Sequence, residues 1–462
     1  MRIMVAAAVA LLGFMLGAGA ASAEIGTADN VPAATLLVPY FEVDINNANS
    51  QTTLLSINNA SNQAMLAHVT LWTDWGIPTL AFQVYLTGYD VQTINLRDVF
   101  NGSLPVTADG GLDPDTPGPS GSSTISNQGS LSVPDASGDK DFPGAVGPCA
   151  VPYNQPDPTL AAKIANARAA HTGQFGALFN GCAGADYGDG VARGYVTIDN
   201  VNSCSLLFPS DPGYFAPLGT GIANNVNALW GDVIHVNPAQ NFAQGETAVH
   251  IEACLGPAYV GSVGTGAGRC PFAAGEYTFY GRFFAPATTD EREPLATTFA
   301  TRFINGGAFS GGTQLDVFRD TKTTPTGVNG PQACGGAPGW FPLAQTDVVS
   351  FDEQENPTDQ CVMVGNVSPV TGGGQACFPL ATQRIDTAGG NQIASDLGIP
   401  SPFGWLYLNL NFALASSDPY PGVAQAWVTT LMSGEGRFGV GFNAIKLDTA
   451  LDTVASGQVL LP

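Results

Sequence analysis

Hydrophobic and polar residues alternate over many short stretches of the chain, and this pattern predicts β-strands. In the clearest stretch, residues 52–76 (TTLLSINNASNQAMLAHVTLWTDWG), Leu55 and Ile57 alternate with polar neighbours, and Val69 and Leu71 do so after an Asn- and Ser-rich turn. A two-residue period is typical of a strand with one buried face, and Asn and Ser favour turns. The stretch therefore predicts two half-buried strands joined by a turn.

Similar strands flank this pair. Residues 35–44 predict one, and Pro39 within it indicates an edge position because proline has no amide hydrogen to donate. Residues 80–86 and 91–96 predict two more. Short strands separated by frequent turns are typical of an all-β sandwich.

Residues 101–190 interrupt the strand pattern and predict a loop insertion. As far as residue 156 the segment is rich in Gly, Pro, Ser and Asp and has no hydrophobic period. One short helix is expected after it, because Asp157 can cap a helix, Pro158 suits its first position and Gly173 suits its end. Strand patterning resumes at Gly194, Leu229 and Glu246.

The second half of the chain repeats the first in outline. The matching segments are 35–44 with 277–286, 52–54 with 297–299, 71–74 with 317–320, 86–91 with 343–348, 194–200 with 404–410, Trp230 with Trp427, and 246–253 with 442–448. Their common order predicts a duplication, that is, two tandem Ig-like antiparallel β-sandwiches at 24–255 and 271–462 with a linker at 256–270. The alternative is one large irregular β fold.

The N-terminus has the composition of a secretory signal peptide. Residues 1–23 contain a single basic residue, Arg2, then an apolar run, and end in Ala-Ser-Ala before Glu24. No later segment has the roughly 18 apolar residues of a membrane-spanning helix. We therefore expect a periplasmic or extracellular protein, without membrane insertion.

The net charge of the chain limits the classes of binding partner that we expect. The formal net charge is −23 at pH 7, although charged residues make up only 11% of the sequence. An acidic surface repels phosphate groups, so nucleic acid and anionic membrane surfaces are disfavoured as partners. A protein or a glycan remains as the expected partner.

Eight cysteines predict disulfide bonds. None has the Cys-x-x-Cys spacing of a zinc or redox site, and an exported chain favours disulfides. The short separations favour Cys254–Cys270, Cys361–Cys377 and Cys149–Cys182, although spacing alone leaves the connectivity open. The candidates are Cys149, Cys182, Cys204, Cys254, Cys270, Cys334, Cys361 and Cys377.

The sequence contains no familiar catalytic motif, and no catalytic or cofactor-binding residue is predicted. It lacks a nucleophile elbow, a zinc-protease motif, a P-loop and a dinucleotide-binding fingerprint. His68, His235 and His250 are interpreted as structural residues, and His171 as a complement to the dipole of the predicted helix. Four carboxylates recur in matching places and are interpreted as strand-end caps rather than an acid–base pair: Asp74, Asp90, Asp320 and Asp347.

Two weaker signals concern ligands. Calcium has three candidate oxygen clusters, none with EF-hand spacing, and solvated turns are the simpler interpretation. The clusters are Asp44 with Asn46 and Asn49, Asp113 with Asp115, and Asp186 with Asp189. A sugar-stacking platform has four aromatic candidates, for which core packing is the simpler interpretation: Trp72, Trp75, Tyr85 and Tyr89.

Four sequence blocks resemble a family of exported bacterial proteins that has no assigned activity. They are LLVPYFEVD, VTLWTDWG, VYLTGYDVQTINLRD and ARGYVTIDNVN, and the resemblance covers residues 36–100 and 193–253. It implies bacterial export and a shared fold, and it carries no catalytic residue.

Together these observations predict a non-catalytic exported β-sandwich protein with a structural or binding role in the bacterial envelope or outside the cell. The alternative is a secreted hydrolase that acts on glycans through carboxylates of the insertion loops, such as Asp186 and Asp189.

Overall fold

The computed structural model describes residues 31–63, 65–86, 88–104, 159–203, 205, 207–253, 277–283, 290–306, 312–321, 330–360, 377–388, 397–411, 424–434 and 438–447. The predicted signal peptide (1–23), the predicted linker (256–270), and Asp113 and Asp115 lie outside these residues. The regular secondary structure of the described residues is nearly all β, with 18 strands in four antiparallel sheets, so the all-β prediction is confirmed.

The first half of the chain supplies two of the sheets. Sheet 1 has the order β4-β3-β6-β1-β9 and sheet 2 the order β5-β2-β7-β8. The strands are β1 (Thr35–Asp44), β2 (Thr52–Asn59), β3 (Met65–Thr73), β4 (Pro78–Leu86), β5 (Val91–Asn95), β6 (Val191–Val201), β7 (Leu229–Asn237), β8 (Phe242–Thr247) and β9 (Val249–Ile251). Buried side chains such as Leu55, Val69, Phe82 and Val233 form a core for this half.

The second half supplies the other two sheets. Sheet 3 has the order β13-β12-β15-β10-β18 and sheet 4 the order β14-β11-β16-β17. The strands are β10 (Thr298–Ile304), β11 (Thr313–Arg319), β12 (Asp347–Asp352), β13 (Pro357–Asp359), β14 (Thr382–Asp386), β15 (Phe403–Asn409), β16 (Ala426–Gly434), β17 (Phe438–Asn443) and β18 (Ile445–Lys446). Its core includes Phe299, Leu315, Leu406 and Val428.

The two halves share a strand order. In the first, β4-β3-β6 and β5-β2-β7 are neighbours; in the second, β14-β11-β16 and β15-β10-β18 hold the same places in the same chain order. The predicted matches of 52–54 with 297–299 and of 71–74 with 317–320 therefore fall on equivalent strands. The match of 194–200 with 404–410 is wrong, because β6 corresponds to β16 and β15 to β5.

The other predicted matches also fail in topology. Trp230 lies on β7 and Trp427 on β16, which hold different places, and β12 lies outside β15 instead of beside β10. Residues 86–91 lead into β5 and 343–348 into β12, and β9 and β18 pair with non-equivalent strands. The match of 35–44 with 277–286 fails as well. Residues 35–44 form the long strand β1, whereas the described residues 277–283 contain a short 3-10 turn, Gly281–Phe283. The chance recurrence of alternating hydrophobic residues explains these mismatches.

Two expectations about the first strands need correction. All residues of β3 are buried, so it is not half-buried: Val69 faces the core of the first half, while Trp72 faces a second cluster shared with the other half. β1 is not an edge strand either, because it lies between β6 and β9. Pro39 falls at an irregularity in the β1–β6 register, beyond the last residue that pairs with β9.

The hydrophobic cluster that contains Trp72 joins the two halves, and we call this contact the seam. Trp72 and Tyr195 stack with ring centroids 5.6 Å apart, and Tyr195 meets Phe318 of the second half edge-on at 5.0 Å. The Thr382 hydroxyl also donates to the carbonyl of Pro39. The halves are therefore packed against each other through buried side chains.

A disulfide bond crosses the seam, between Cys182 and Cys334. The predicted Cys149–Cys182 bond is therefore wrong; loop length favours near neighbours only where the fold does not bring distant cysteines together. Cys377 is also disulfide-bonded, and its partner lies outside the described residues.

Among the described residues of the first half there are two α-helices, one more than predicted. They are α1 (Leu96–Phe100) and α2 (Leu160–His171), and α2 starts two residues after the predicted Pro158. Gly173 follows α2 with a φ of 71°, the left-handed conformation that ends helices. Because Ile164 and Ala167 of α2 are buried, residues 159–190 are part of the folded structure. Within the described chain, no helix has the length and apolar character needed to cross a membrane.

Candidate functional site

The outer face of sheet 3 carries a row of aromatic side chains. In β15, Phe403, Trp405 and Tyr407 alternate with small or buried residues, and Leu406 and Leu408 point into the core. Phe403 and Trp405 are 39% and 38% exposed. Residues two apart on a strand lie about 7 Å from each other on one face, so the row is a flat apolar strip.

Neighbouring strands extend this strip. Across the sheet, Trp405 lies opposite Phe351 of β12 on one side and Arg302 of β10 on the other. The rings of Trp405 and Phe351 are stacked, with centroids 4.3 Å apart and an interplanar angle of 10°. Because Phe351 supports the indole from one side, the orientation of Trp405 is fixed.

A groove of about 940 Å³ opens beside Trp405. Its apolar lining comes from β10, β15, β17 and β18, and includes Ile304, Phe403, Trp405, Phe442 and Ile445. Its polar lining is Thr301, Arg302, Asp352, Glu353, Glu355 and Asn443. The groove thus combines an aromatic floor with hydrogen-bonding groups at its rim.

The rim carboxylate Asp352 is held in place by the turn that follows β12. Its Oδ1 accepts hydrogen bonds from the backbone amides of Gln354 and Asn356, and its Oδ2 accepts one from the Asn356 side chain at 2.9 Å. These hydrogen bonds from Asn356 hold the pKa of Asp352 below its usual range. Asp352 is therefore an ionised acceptor at neutral pH.

This geometry suits a ligand with flat apolar faces and hydroxyl groups at its edges. Aromatic side chains have an apolar face and bury large areas, and carboxylates and arginine supply acceptors and donors respectively. Pockets for small ligands typically combine an apolar lining with a few polar groups of this kind.

The aromatic residues singled out from the sequence do not form this platform. Trp72 and Trp75 are buried at the seam, as the core interpretation predicted. Tyr89 is exposed in a turn with a positive φ, and the side chain of Tyr85 is outside the description. The missed signal is the sequence FGWLYLN at 403–409, in which three aromatic residues, Phe403, Trp405 and Tyr407, occupy alternate positions.

The four recurring carboxylates have different surroundings. Asp74 is buried and accepts hydrogen bonds from the Ala185 amide and the Tyr187 hydroxyl, each at 3.0 Å; burial raises its pKa to about 7. Asp320, at the equivalent place, is buried against Arg282 and the Tyr277 hydroxyl.

The second pair lies at strand starts that are not equivalent. Asp90 accepts from the amide of Val91 before β5. Asp347 begins β12, and partial burial raises its pKa.

Arg97 fills the turn that was a calcium candidate. The Oδ1 of Asp44 accepts from the amides of Asn46 and Asn47. The guanidinium of Arg97, on α1, donates to four backbone carbonyls of this turn: those of Asp44, Ala48, Ser50 and Gln51, at 2.8–3.2 Å. The positive charge among the turn's carbonyls is therefore supplied by the protein.

The calcium candidate Asp186 with Asp189 also has hydrogen-bond partners within the protein. Asp189 forms a bidentate pair with Arg193, at 3.0 and 2.6 Å, and Asp186 accepts from the amide of Gly188. Despite partial burial, which opposes the change, hydrogen bonds from Arg193 and Val191 lower the pKa of Asp189. Asp189 is thus a structural anion.

Three of the histidines are buried structural residues. His68 bonds to Gln83, and His250 donates to the carbonyl of Val31. In His171, Nδ1 donates to the carbonyl of Arg193 and Nε2 bonds to the Thr79 hydroxyl. Burial lowers the pKa of His171 to about 4, so it is neutral and the predicted interaction with the helix dipole is wrong.

The fourth histidine has a different environment. His235 lies at the seam with Glu246 and Asp316, and their ligand atoms all lie within 4.8 Å of one another. These are the residues with which the described structure could hold a metal ion.

Comparison of the chain with protein-family models, curated proteins and solved structures gave no significant match. The resemblance of residues 36–100 and 193–253 to an exported bacterial family stays a prediction.

Proposed function

We propose that this protein is an exported, non-catalytic binding protein whose groove on sheet 3 takes a neutral oligosaccharide. The observation that carries the proposal is Trp405, which is partly exposed, stacked on Phe351 and aligned with Phe403 and Tyr407 along β15. A sugar ring has apolar C–H faces that pack on an indole, and its hydroxyls find acceptors in Asp352 and Glu353 at the rim.

The charges favour a neutral glycan over an anionic one. The chain has a formal net charge of −23, and the groove brings three carboxylates together with one arginine. A uronic acid or a sulfated sugar would meet this field at an energetic cost.

The same groups favour binding over hydrolysis. A glycosidase needs one carboxyl with a raised pKa to protonate the leaving group. Asp352 at the groove and Asp189 in the predicted loop both have lowered pKa values, for the hydrogen-bonding reasons given above. Neither suits the role of general acid.

The test is a titration of the full-length mature protein with neutral and anionic oligosaccharides, followed by intrinsic tryptophan fluorescence and calorimetry. We expect saturable binding of at least one neutral oligosaccharide. Trp405→Ala should weaken it about tenfold or more, since aromatic contacts contribute on the order of 0.5–1.5 kcal/mol beyond the area they bury.

Thr93→Ala is the matched control, because Thr93 is exposed on β5, the counterpart of β15 in the first half. It should leave affinity unchanged. Glycan binding that Trp405→Ala does not alter would place the site elsewhere. Binding of unfolded peptides without binding of any glycan would replace the glycan with a protein partner. Release of reducing sugar during the titration would favour the hydrolase alternative.

Export has a separate test. If residues 1–23 are a signal peptide, the secreted chain should begin at Glu24, and intact mass together with N-terminal sequencing would establish this. Retention of Met1 in a protein confined to the cytoplasm would contradict export.

A further inference from the structure

Three strands from both halves bring one histidine and two carboxylates together at the seam. His235 lies on β7, Glu246 on β8 and Asp316 on β11. In the β7–β8 register Glu246 lies opposite Val233, two residues from His235, so the His235 and Glu246 side chains are diagonal neighbours. Asp316 approaches them from the second half.

The three side chains are close and shielded from solvent. The Nε2 of His235 is 3.5 Å from the Oδ2 of Asp316 and 4.0 Å from the Oε1 of Glu246. His235 is 5% exposed and Asp316 is 1% exposed. No surface loop is needed to complete the cluster, because all three residues lie on strands.

The imidazole is oriented with a free nitrogen toward the carboxylates. Its Nδ1 lies 3.4 Å from the Thr53 hydroxyl. Its Nε2 has no hydrogen-bond partner among the described residues, and neither does the Oε2 of Glu246. A buried polar atom without a partner is costly, and here two such atoms belong to the same cluster.

Asp316 is fixed from its other side by Arg384. The guanidinium donates to both carboxylate oxygens, at 2.6 and 2.7 Å, and lies 4.9 Å from the centre of the Tyr40 ring. Arg384 also contacts Glu42 at 3.3 Å, which offsets part of its charge. Such outer contacts are what orients a ligand in metal sites.

We propose that His235, Glu246 and Asp316 bind one divalent cation of the zinc class and thereby clamp the two halves of the chain together. A tetrahedral zinc ion with bonds of about 2.0–2.1 Å separates its ligand atoms by about 3.4 Å. The His235–Asp316 distance of 3.5 Å is close to this value, and the His235–Glu246 distance of 4.0 Å requires a small closure. Water completes the fourth position.

The donor set selects the type of cation. One imidazole nitrogen with two carboxylate oxygens suits zinc and its first-row neighbours, whereas calcium takes six to eight oxygen ligands.

The experiment uses the full-length, untagged, disulfide-intact protein, stripped with a chelator and titrated with Zn²⁺ against a chromogenic competitor. All four histidines of the chain are buried, which limits adventitious binding by imidazole. We expect one equivalent of Zn²⁺ to bind, Ca²⁺ and Mg²⁺ not to compete, and the melting temperature to rise with Zn²⁺. His235→Gln should weaken binding on the order of 100-fold or more.

Asp232→Asn is the matched control, because Asp232 is a half-buried carboxylate on the same strand, outside the cluster. It should bind Zn²⁺ like the parent. If the parent chain itself binds no Zn²⁺ with one-to-one stoichiometry, the proposal fails, whether or not His235→Gln folds. An X-ray absorption spectrum with sulfur in the coordination sphere would also overturn it, because the ion would then lie at cysteines.

Discussion

The two halves of the molecule share the order of three neighbouring strands in each of their sheets, but they differ at equivalent places. β5 pairs with β2, and β15 pairs with the equivalent strand β10, yet β5 exposes Val91 and Thr93 whereas β15 exposes Phe403 and Trp405. The aspartates after β3 and β11 differ too: Asp320 is paired with Arg282, whereas Asp74 has no ion pair within the described structure. The shared topology sets where strands lie, and the side chains at those places decide which half exposes aromatic residues there.

The largest effect on the free energy of unfolding is expected from removing the charge of Asp320. Asp320→Asn removes the carboxylate charge that pairs with the buried guanidinium of Arg282, which should lower the free energy of unfolding by about 3–5 kcal/mol. Asp74→Asn should cost much less at pH 8, because Asp74 accepts hydrogen bonds from neutral groups, the Ala185 amide and the Tyr187 hydroxyl. Urea unfolding of both variants measures the difference, and equal losses would mean that the two aspartates are energetically equivalent after all.

The next effect concerns the covalent bond between the halves. Replacing Cys182 and Cys334 by serine removes a cross-link between positions 152 residues apart. We expect a loss of about 2–5 kcal/mol, with the exact value dependent on the other bridges. Circular dichroism during urea unfolding gives this number. A double variant as stable as the parent would show that the packed seam alone holds the halves.

A pH series separates Asp74 from its counterpart. Burial raises the pKa of Asp74 from 3.8 to about 7, so the folded protein keeps a proton that the unfolded chain loses. The stabilisation linked to this proton is fully present below about pH 4 and is lost as the pH rises through about 7. Unfolding free energies measured from pH 4 to 8 should therefore fall less steeply in Asp74→Asn. An unchanged slope in that variant, with the exposed Glu353→Gln as control, would contradict the raised pKa.

The smallest effect on stability is expected from a substitution in the exposed aromatic row of β15. Phe403→Ala should reduce glycan affinity about threefold to tenfold and change stability by less than about 0.5–1 kcal/mol, because the ring is partly exposed. Val91→Ala, on the equivalent strand, should change neither. Affinity and unfolding measured on the same samples test whether the aromatic row acts in binding. A stability loss without an affinity loss would make it a packing feature.

The sequence predicted the positions of the strands better than it predicted what packs against them. Alternation at Leu55 and Ile57 identified β2 correctly, with both side chains buried. It could not identify the second layer over β3, because the residues that cover Trp72 come from more than 100 positions away. Burial on both faces depends on tertiary packing that a local pattern does not contain.

Residue-level matches between the halves failed for a related reason. The offset of about 245 aligns Leu54 with Phe299, yet Leu54 is half-buried and Phe299 is fully buried. A shift of one residue reverses the face of a strand, and alternating sequences match almost equally well in either register. The sequence does not predict the exposed aromatic strip at 403–409, because aromatic residues on strands are usually core residues. Only the sheet order shows which face of the strand is outside.

The seam cluster could not be predicted from spacing. His235 and Asp316 are 81 positions apart and belong to different halves. Their proximity depends on how two separately patterned sandwiches dock, which no motif encodes. The sequence favours a structural role for His235, because a histidine beside apolar residues usually has one, and only its position beside Glu246 and Asp316 in the structure indicates otherwise.

The turn between β1 and β2 has its cation tethered to the polypeptide. Arg97 occupies the centre of carbonyl oxygens from Asp44 to Gln51, so the local concentration of this positive group does not depend on the surrounding medium. A dissolved ion in the same place would leave on dilution or in the presence of a chelator. This turn should therefore keep its shape in any ionic environment, and it can serve as a fixed corner even where free calcium is scarce.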